Sequence, residues 1–410
     1  MSMHDANGRE IEPHGPPRVR YEDFGAIIAL SDPPALVHID HTMVAELNLA
    51  PSPYRDAPLG HLSAPTEVHV LATERCPAGC SHCYVDATRE GAHPSTAELR
   101  ALLESLAEFG VFHVALGGGE SMLRDDLFEL AHYARALGLV PNLTTSGIGM
   151  TLARAAQCTV FGQVNVSLDG LDDVYEHTRG YDGSGKALSG LRMLSAAGVA
   201  TGINVVLTRG VFDTLAATVE AAVDAGAQEV ELLRFKPTGR AKASYFGVRL
   251  CESRGRRLMP LVTELARKYA SVNMKIDCSL VPFLCATDPD PELLRTFGVI
   301  GCEAGNVLAA VRADLNATAC SFVESSLGDA RTLISSWTDN EELQAWRGWA
   351  ARAPEPCRSC AYRDICKGGC KVVSLAVNGE TFTPDPECPR VLAHARGETF
   401  VPITADEAHE

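Results

Sequence analysis

Between residues 67 and 270, short apolar runs alternate with amphipathic helical patterns at a period of roughly 30 residues. The apolar runs read TEVHVLAT, FHVALGGG, VPNLTTSG, FGQVNVSLDG, TGINVVLT and QEVELLRFKP. The helical patterns are TAELRALLESLAEFG, RDDLFELAHYARALG, KALSGLRMLSAAG, LAATVEAAVDAGA and RRLMPLVTELARKYA. The first of them opens with Ser95 three residues before Glu98, a capping box, and stops at Gly110. Strand-helix alternation of this kind implies parallel strands joined by right-handed crossovers. Six such units predict an α/β fold, a partial (β/α)6 TIM-type barrel over residues 67–275, open on one side. Reactive groups of such a barrel belong at the C-terminal strand ends. The unusual residues fall there: a cysteine loop after the first strand, Gly117 to Glu120 after the second, Ser146 after the third, and Ser167 with Asp169 at the fourth.

Residues 1–66 precede the barrel. MSMHDANGREIEPHGPP reads as disordered, and RVRYEDFGAIIALSDPPALVHIDHTMVAELN as a β-hairpin turning at SDPP with a short helix after it. Beyond residue 275 the periodicity fades, and residues 276–395 carry nine of the fourteen cysteines before a tail at 396–410. A region with little core of its own and many cysteines is expected to be organised by metal. The net charge of −16 argues against a nucleic-acid or anionic-membrane partner. No apolar run of about 18 residues exists and the N-terminus is not a signal peptide, so a cytoplasmic protein is expected. In a reducing compartment fourteen cysteines do not form a disulfide framework. The isolated Cys158 and Cys251 read as small buried hydrophobes, and the clustered cysteines as metal ligands.

The stretch RCPAGCSHCY places Cys76, Cys80 and Cys83 in a C-x3-C-x2-C frame with no fourth partner nearby. Each iron of a cubane iron–sulfur cluster takes one external ligand, usually a thiolate. Three cysteines on one loop would therefore leave one iron open to an exchangeable ligand, as a catalytic zinc keeps one position open. S-adenosylmethionine can chelate such an iron and be cleaved reductively to a deoxyadenosyl radical. Half of a zinc site is the plainer alternative, but its usual C-x2-C lacks a matching second pair here.

Cys76, Cys80 and Cys83, followed by the aromatic Tyr84, resemble the signature of the radical S-adenosylmethionine superfamily, over roughly residues 67–390. The resemblance implies that Tyr84 belongs to the cofactor site. It also implies that Gly118, Gly119 and Glu120, preceded by Gly117, meet the methionine amino group, a carboxylate suiting an ammonium. Where the family usually has proline after the glutamate, this chain has Ser121. By similarity Ser146, Ser167, Asp169 and Arg179 would line the ribose and carboxylate of the cofactor, and Arg234 would face substrate or cofactor. Turn formers and a surface arginine are the plainer alternatives for the first four. No catalytic residue is assigned.

Farther on, Cys357-x2-Cys360-x5-Cys366-x3-Cys370 with Cys388, preceded by Cys302 and Cys320, resembles the SPASM extension of radical enzymes that modify peptides. The resemblance implies one auxiliary four-iron cluster on Cys357, Cys360, Cys366 and Cys388. Cys370 would cross to join Cys302 and Cys320 at a second; a zinc ribbon with spare cysteines is the alternative. Relatives with a fully ligated first auxiliary cluster carry a further cysteine between the equivalents of Cys302 and Cys320 or just before them. EAGNVLAAVRADLNATA holds none, and Leu315 stands where glycine is usual. Cys285 or Cys278 reaches in, or an iron is left open. The stretches VALGGGE, QVNVSLDG, TRGYDGSGKAL and RFKPTGRA are most similar to peptide maturases of the mycofactocin and pyrroloquinoline quinone type, and VRYEDFGAIIAL resembles a shortened leader-peptide-recognition fold. Ser321, directly after Cys320, argues against sulfatase maturation, where an acidic residue stands.

The implied activity is reductive cleavage of S-adenosylmethionine to a 5′-deoxyadenosyl radical that oxidatively modifies a ribosomally made precursor peptide, by cross-linking or decarboxylation. Its electron donor would be a flavodoxin or ferredoxin. The same chemistry on a small molecule, such as a tetrapyrrole side chain, is the alternative. From another class, a non-catalytic iron–sulfur electron carrier would also use the cysteines.

Overall fold

The structure is a computed structural model that describes residues 17–402, with an antiparallel pair at Met3–His4 and Glu10–Ile11 ahead of them. The rest of the opening stretch read as disordered, and residues 403–410 of the tail, lie outside the described residues.

The helix expected after the cysteine loop spans Thr96–Phe109. Ser95 and Glu98 cap it reciprocally, and Gly110 ends it at φ 96°. Its buried stripe, Leu99, Leu102, Leu103 and Leu106, packs on Val68 and Val70 of the first barrel strand, as the 3.6-residue period requires. Six strands occupy the six apolar runs: β4 (Glu67–Thr73), β5 (His113–Gly118), β6 (Val140–Thr145), β7 (Val164–Ser167), β8 (Thr201–Leu207) and β9 (Glu229–Arg234). All pair in parallel with their sequence neighbours, which gives the expected α/β partial barrel.

Two further parallel strands extend it. β10 (Asn273–Ile276) joins β9, and β11 (Leu308–Val311), from the cysteine-rich half, joins the outer side of β4 and carries a short antiparallel β12 (Ala317–Thr318). The order runs β10-β9-β8-β7-β6-β5-β4-β11-β12, so the wall stays open between its two ends. Trp337, Leu343 and Trp346 of the cysteine-rich half fall in the same apolar core as the barrel strands. Among the described residues no helix is long and apolar enough to cross a membrane.

The N-terminal segment forms three antiparallel strands where a hairpin is expected: β1 (Arg18–Glu22), β2 (Gly25–Ser31) and β3 (Pro34–Asp40), followed by the helix His41–Glu46. The extra strand exists because Asp23 and Phe24 form a second tight turn ahead of the one at Asp32 and Pro33. Two arginines dock this sheet. Arg18 donates to the carbonyls of Ala107, Val111 and Gly138 at 2.8 to 3.0 Å, and Arg20 to those of Pro65 and Gly110. The carbonyls of Ala107, Gly110, Val111 and Gly138 lie where helices end and the next strands begin, which attracts cations, and that of Pro65 lies just before β4. The sheet therefore sits at the N-terminal end of the barrel strands, opposite the cysteine loop.

Arg20 also pairs at 2.6 Å with Glu22, which is fully buried. Arg20→Leu strands that carboxylate and is expected to cost roughly 3 kcal/mol, the scale for breaking a buried pair. Denaturant unfolding measures this, and an unchanged midpoint would rule out docking through Arg20.

Candidate cofactor and substrate site

The cysteine loop leaves the C-terminal end of β4 and is fixed by its surroundings. Arg240 donates from Nε to the Cys80 carbonyl at 2.8 Å and from Nη1 to that of Ala87 at 2.9 Å; its backbone N–H donates to the Cys83 carbonyl at 3.0 Å. Gly239, at φ 54°, allows this approach, since a Cβ there would sit 2.4 Å from the Cys83 oxygen. On the other flank Ser81 Oγ and His82 Nδ1 donate to the Thr178 carbonyl at 3.0 and 2.8 Å. Cys76, Cys80 and Cys83 are partly exposed, and all three line the mouth of an internal cavity of about 440 Å³.

The glycine turn closes against the same strand end. Gly118 has φ 124°, and a Cβ on it would lie 2.1 Å from the Thr73 carbonyl; one on Gly119 would lie 2.3 Å from that of Arg75. Gly117 has open space before it. Glu120 is buried and accepts from Thr145 Oγ1, Ser146 N, Ser146 Oγ and Met122 N. Burial pushes its carboxyl above the ordinary range, against those donors. Glu120 thus holds Ser146, and it is Gly117, Gly118, Gly119 and Ser146 that line the cavity, with Ser167.

Asp169 is fully buried. It accepts from Arg179 Nε at 2.8 Å and from the Val206 N–H at 2.7 Å, and lies 3.2 Å from His82 Nε2. Burial alone would raise its carboxyl, yet Arg179 and His82 hold it at about 2. It is Arg179 that reaches the cavity, aimed by Asp169. Tyr84 packs against Phe322 at 4.8 Å with the rings tilted by 41°, and Phe322 carries the Lys236 ammonium over its ring at 4.2 Å. Burial pushes the Tyr84 phenol to about 12. Arg234 lines the cavity as well, with its Nη1 and Nη2 bonded to Asp385, Glu387 and the Ser279 carbonyl.

Deeper, alternate strand residues give the lumen a polar floor. Gln163 Nε2 donates to Glu229 at 2.6 Å, Asn165 to Asn204 at 2.8 Å, and Lys275 pairs with Glu229 at 2.7 Å. Glu231 sits among them without a hydrogen-bond partner among the described residues. Burial pushes its carboxyl up to about 7, with Asp277 and Glu229 adding to the shift and Lys275 opposing it.

In the cysteine-rich half the thiols gather in two groups. Cys278, whose thiol donates to Asp277 Oδ1 at 3.2 Å, lies within electrostatic reach of Cys302, Cys320 within reach of Cys302 and Cys370, and Lys236 within reach of Cys370 and Cys278. The other group is Cys357, Cys360, Cys366 and Cys388, with the buried Cys285 beside them. Lys371, almost wholly buried, senses Cys302 of the first group and Cys366 and Cys357 of the second. Among the described residues no three His, Cys, Asp or Glu side chains stand close enough to hold a single ion, and a cluster needs a wider frame. Cys158 is buried as expected. Cys251 is not: it is partly exposed and accepts from Arg254, because its turn lies at the surface.

His82, Arg240 and Glu231 escape the sequence reading. His82 stands inside the cysteine frame, Arg240 follows the turn glycine of RFKPTGRA, and Glu231 shares the inward face of QEVELLRFKP with Glu229. Each had a local signal, but its partner lies on another element.

Fold and site together define a parallel α/β barrel protein that carries a three-cysteine loop over an internal cavity. Residues 70–222 match the Radical SAM superfamily. The PqqA peptide cyclase of Xanthomonas campestris pv. campestris is 32% identical over 359 residues, 81% of this chain and 88% of the relative. That of Streptomyces rochei is 29% identical over 80% of this chain and 90% of its own. Among solved structures, Streptococcus suis SuiB bound to S-adenosylmethionine superposes with a TM-score of 0.71 over 91% of this chain and 98% of its own, at 17% identity. At that identity the likeness is one of fold. The chain belongs to the radical SAM superfamily. Membership implies one four-iron cluster and S-adenosylmethionine. The residues present fit both: three thiols line the cavity, Gly118 and Gly119 leave no room for a Cβ beside it, and the Arg179 guanidinium reaches it.

The raised carboxyl of Glu231 has a consequence for stability. Its folded value of about 7 exceeds the ordinary 4.5, so its contribution is fully favourable below pH 4.5 and is lost as pH rises through 7. Glu231→Gln is therefore expected to stabilise the protein by up to about 3 kcal/mol at pH 8. The gain should vanish near pH 4.5. Denaturant midpoints of both proteins across this range check the sign, and a constant difference would refute the assignment.

Proposed function

We propose that this radical SAM enzyme oxidatively modifies a ribosomally made precursor peptide, forming a cross-link or decarboxylating a residue. The observation that carries the reading is the three-cysteine loop over a roomy cavity with a polar floor in a chain whose curated relatives are named PqqA peptide cyclases. The fold neighbour SuiB has been solved with its precursor peptide SuiA.

Cys76, Cys80 and Cys83 would hold the cluster. When bound, the cluster and S-adenosylmethionine supply a 5′-deoxyadenosyl radical, which takes a hydrogen atom from the substrate. The remaining work falls to this chain. Gly117 to Gly119 let the backbone approach the methionine end, and Ser146, held by Glu120, offers a hydroxyl there. Arg179, fixed by Asp169, presents a cation to the cofactor carboxylate. Tyr84 and Phe322 wall the mouth between the loop and the first group of auxiliary cysteines.

Residues 276–395 are read as the auxiliary region, after a partial barrel at 67–275. Cys357, Cys360, Cys366 and Cys388 would hold one cluster, and Cys302, Cys320 and Cys370 a second, completed by Cys278 rather than Cys285. Lys236 and Lys371 place positive charge beside these thiolates, which favours the electron-rich state of an acceptor. A flavodoxin or ferredoxin would supply the first electron. The N-terminal sheet has two edge strands, β1 and β3, of the kind an extended leader peptide adds to.

Two experiments test this. Reconstituted, reduced protein is incubated without oxygen with S-adenosylmethionine and the short peptide encoded beside its gene. Peptide-dependent release of 5′-deoxyadenosine with a change in peptide mass is expected; release with the peptide unchanged sinks the peptide reading. In the second, Cys278→Ala is expected to alter the EPR signal of one reduced auxiliary cluster, and Cys285→Ala to leave both signals intact. The opposite pattern would move the fourth ligand to Cys285.

A further inference from the structure

Within the lumen nearly every charge is already answered. Glu229 has Lys275, Gln163 and Asn273, Asp277 has Lys236, Arg179 has Asp169, and Glu67 lies 3.7 Å from His69. Glu231 is the exception among the described residues. In the sheet register it lies between Asn204 and Lys275, but Asn204 is bonded to Asn165 and Lys275 to Glu229. Its side chain lines the cavity, three residues before the end of its own strand at Arg234. Glu231 is partly buried, with Lys275 near enough to act on its charge but bonded elsewhere, and a carboxylate so placed without a hydrogen-bonded partner is relieved best by a cation. The cavity is of a size that takes small ligands and side chains.

We propose that the segment of peptide entering the barrel carries a basic side chain, lysine or arginine, whose cation is received by Glu231. This rests on the peptide reading and adds the substrate's chemistry to it. Glu231 is here a specificity residue: it fixes which side chain goes deepest, and so which neighbouring carbon lies under the cofactor. Asn204 flanks the position on β8 and, like Gln163, lines the same cavity.

The test needs no turnover, so failure of the peptide reading and failure of this one show up in different assays. Binding of n-propylguanidinium and of its neutral isostere n-propylurea to the reconstituted holoenzyme is measured by calorimetry. The cation is expected to bind at least about tenfold more tightly than the urea, a preference lost in Glu231→Gln and kept in Glu231→Asp. Equal affinities, no binding of either probe, or a preference that survives in Glu231→Gln overturns the proposal. Affinity for S-adenosylmethionine is measured alongside and is expected to be unchanged in Glu231→Gln. A loss of about tenfold there would assign Glu231 to the cofactor and overturn the proposal too.

Discussion

One buried guanidinium joins the barrel to the cysteine-rich half. Arg234, at the end of β9, makes a two-point contact with Asp385 at 2.6 and 3.0 Å, a third bond to Glu387 at 2.8 Å and a fourth to the Ser279 carbonyl. Asp385 in turn accepts from the backbone N–H of Cys370 at 2.9 Å, and Tyr245 donates to Glu387. Cys388 follows Glu387 in the chain. The last strand of the long alternating run is therefore wired to a cysteine of each thiol group. Removing two carboxylates and a guanidinium from water is expensive; the four bonds through Nη1 and Nη2 recover most of the guanidinium's donor capacity, while Nε stays without a hydrogen-bond partner among the described residues. The same side chain lines the cavity and ties the barrel to the cysteine-rich half.

A comparable economy of position appears at the cavity mouth. Asp169 and Glu120 hardly meet the cavity; each turns a neighbour, Arg179 or Ser146, toward it. Buried carboxylates saturated by donors make rigid supports, and the groups they hold are short or forked donors suited to an anionic or zwitterionic ligand.

Local rules reached the parts of the molecule that depend on local spacing. The capping box of Ser95 and Glu98, the six apolar runs and the three-cysteine frame all involve residues within one element or loop, and each was legible. The strands that were not legible are the brief ones. Asn273–Ile276 places Lys275 on the lumen face, which breaks the apolar pattern, and Leu308–Val311 is a four-residue run that only pairing with β4 makes a strand. In the site, Arg234 and Asp385 lie 151 residues apart, and Arg240 and Cys80 lie 160 apart, so no spacing announces either pair. Glu231 was visible as a residue, but its isolation appears only once every neighbour has been matched to someone else.

The place of β11 beside β4 governs how the chain is made. Thr66 and Val307, bonded at the start of these two strands, are separated by 241 residues. On the ribosome the first barrel strand must wait, with its outer edge bare, until most of the protein has emerged. An unpaired edge of alternating apolar residues is a template for wrong partners, and contacts this distant form slowly. Closing that edge depends on the same half that gathers the nine cysteines. Completion of the barrel's first edge is thereby tied to the arrival of that half of the chain.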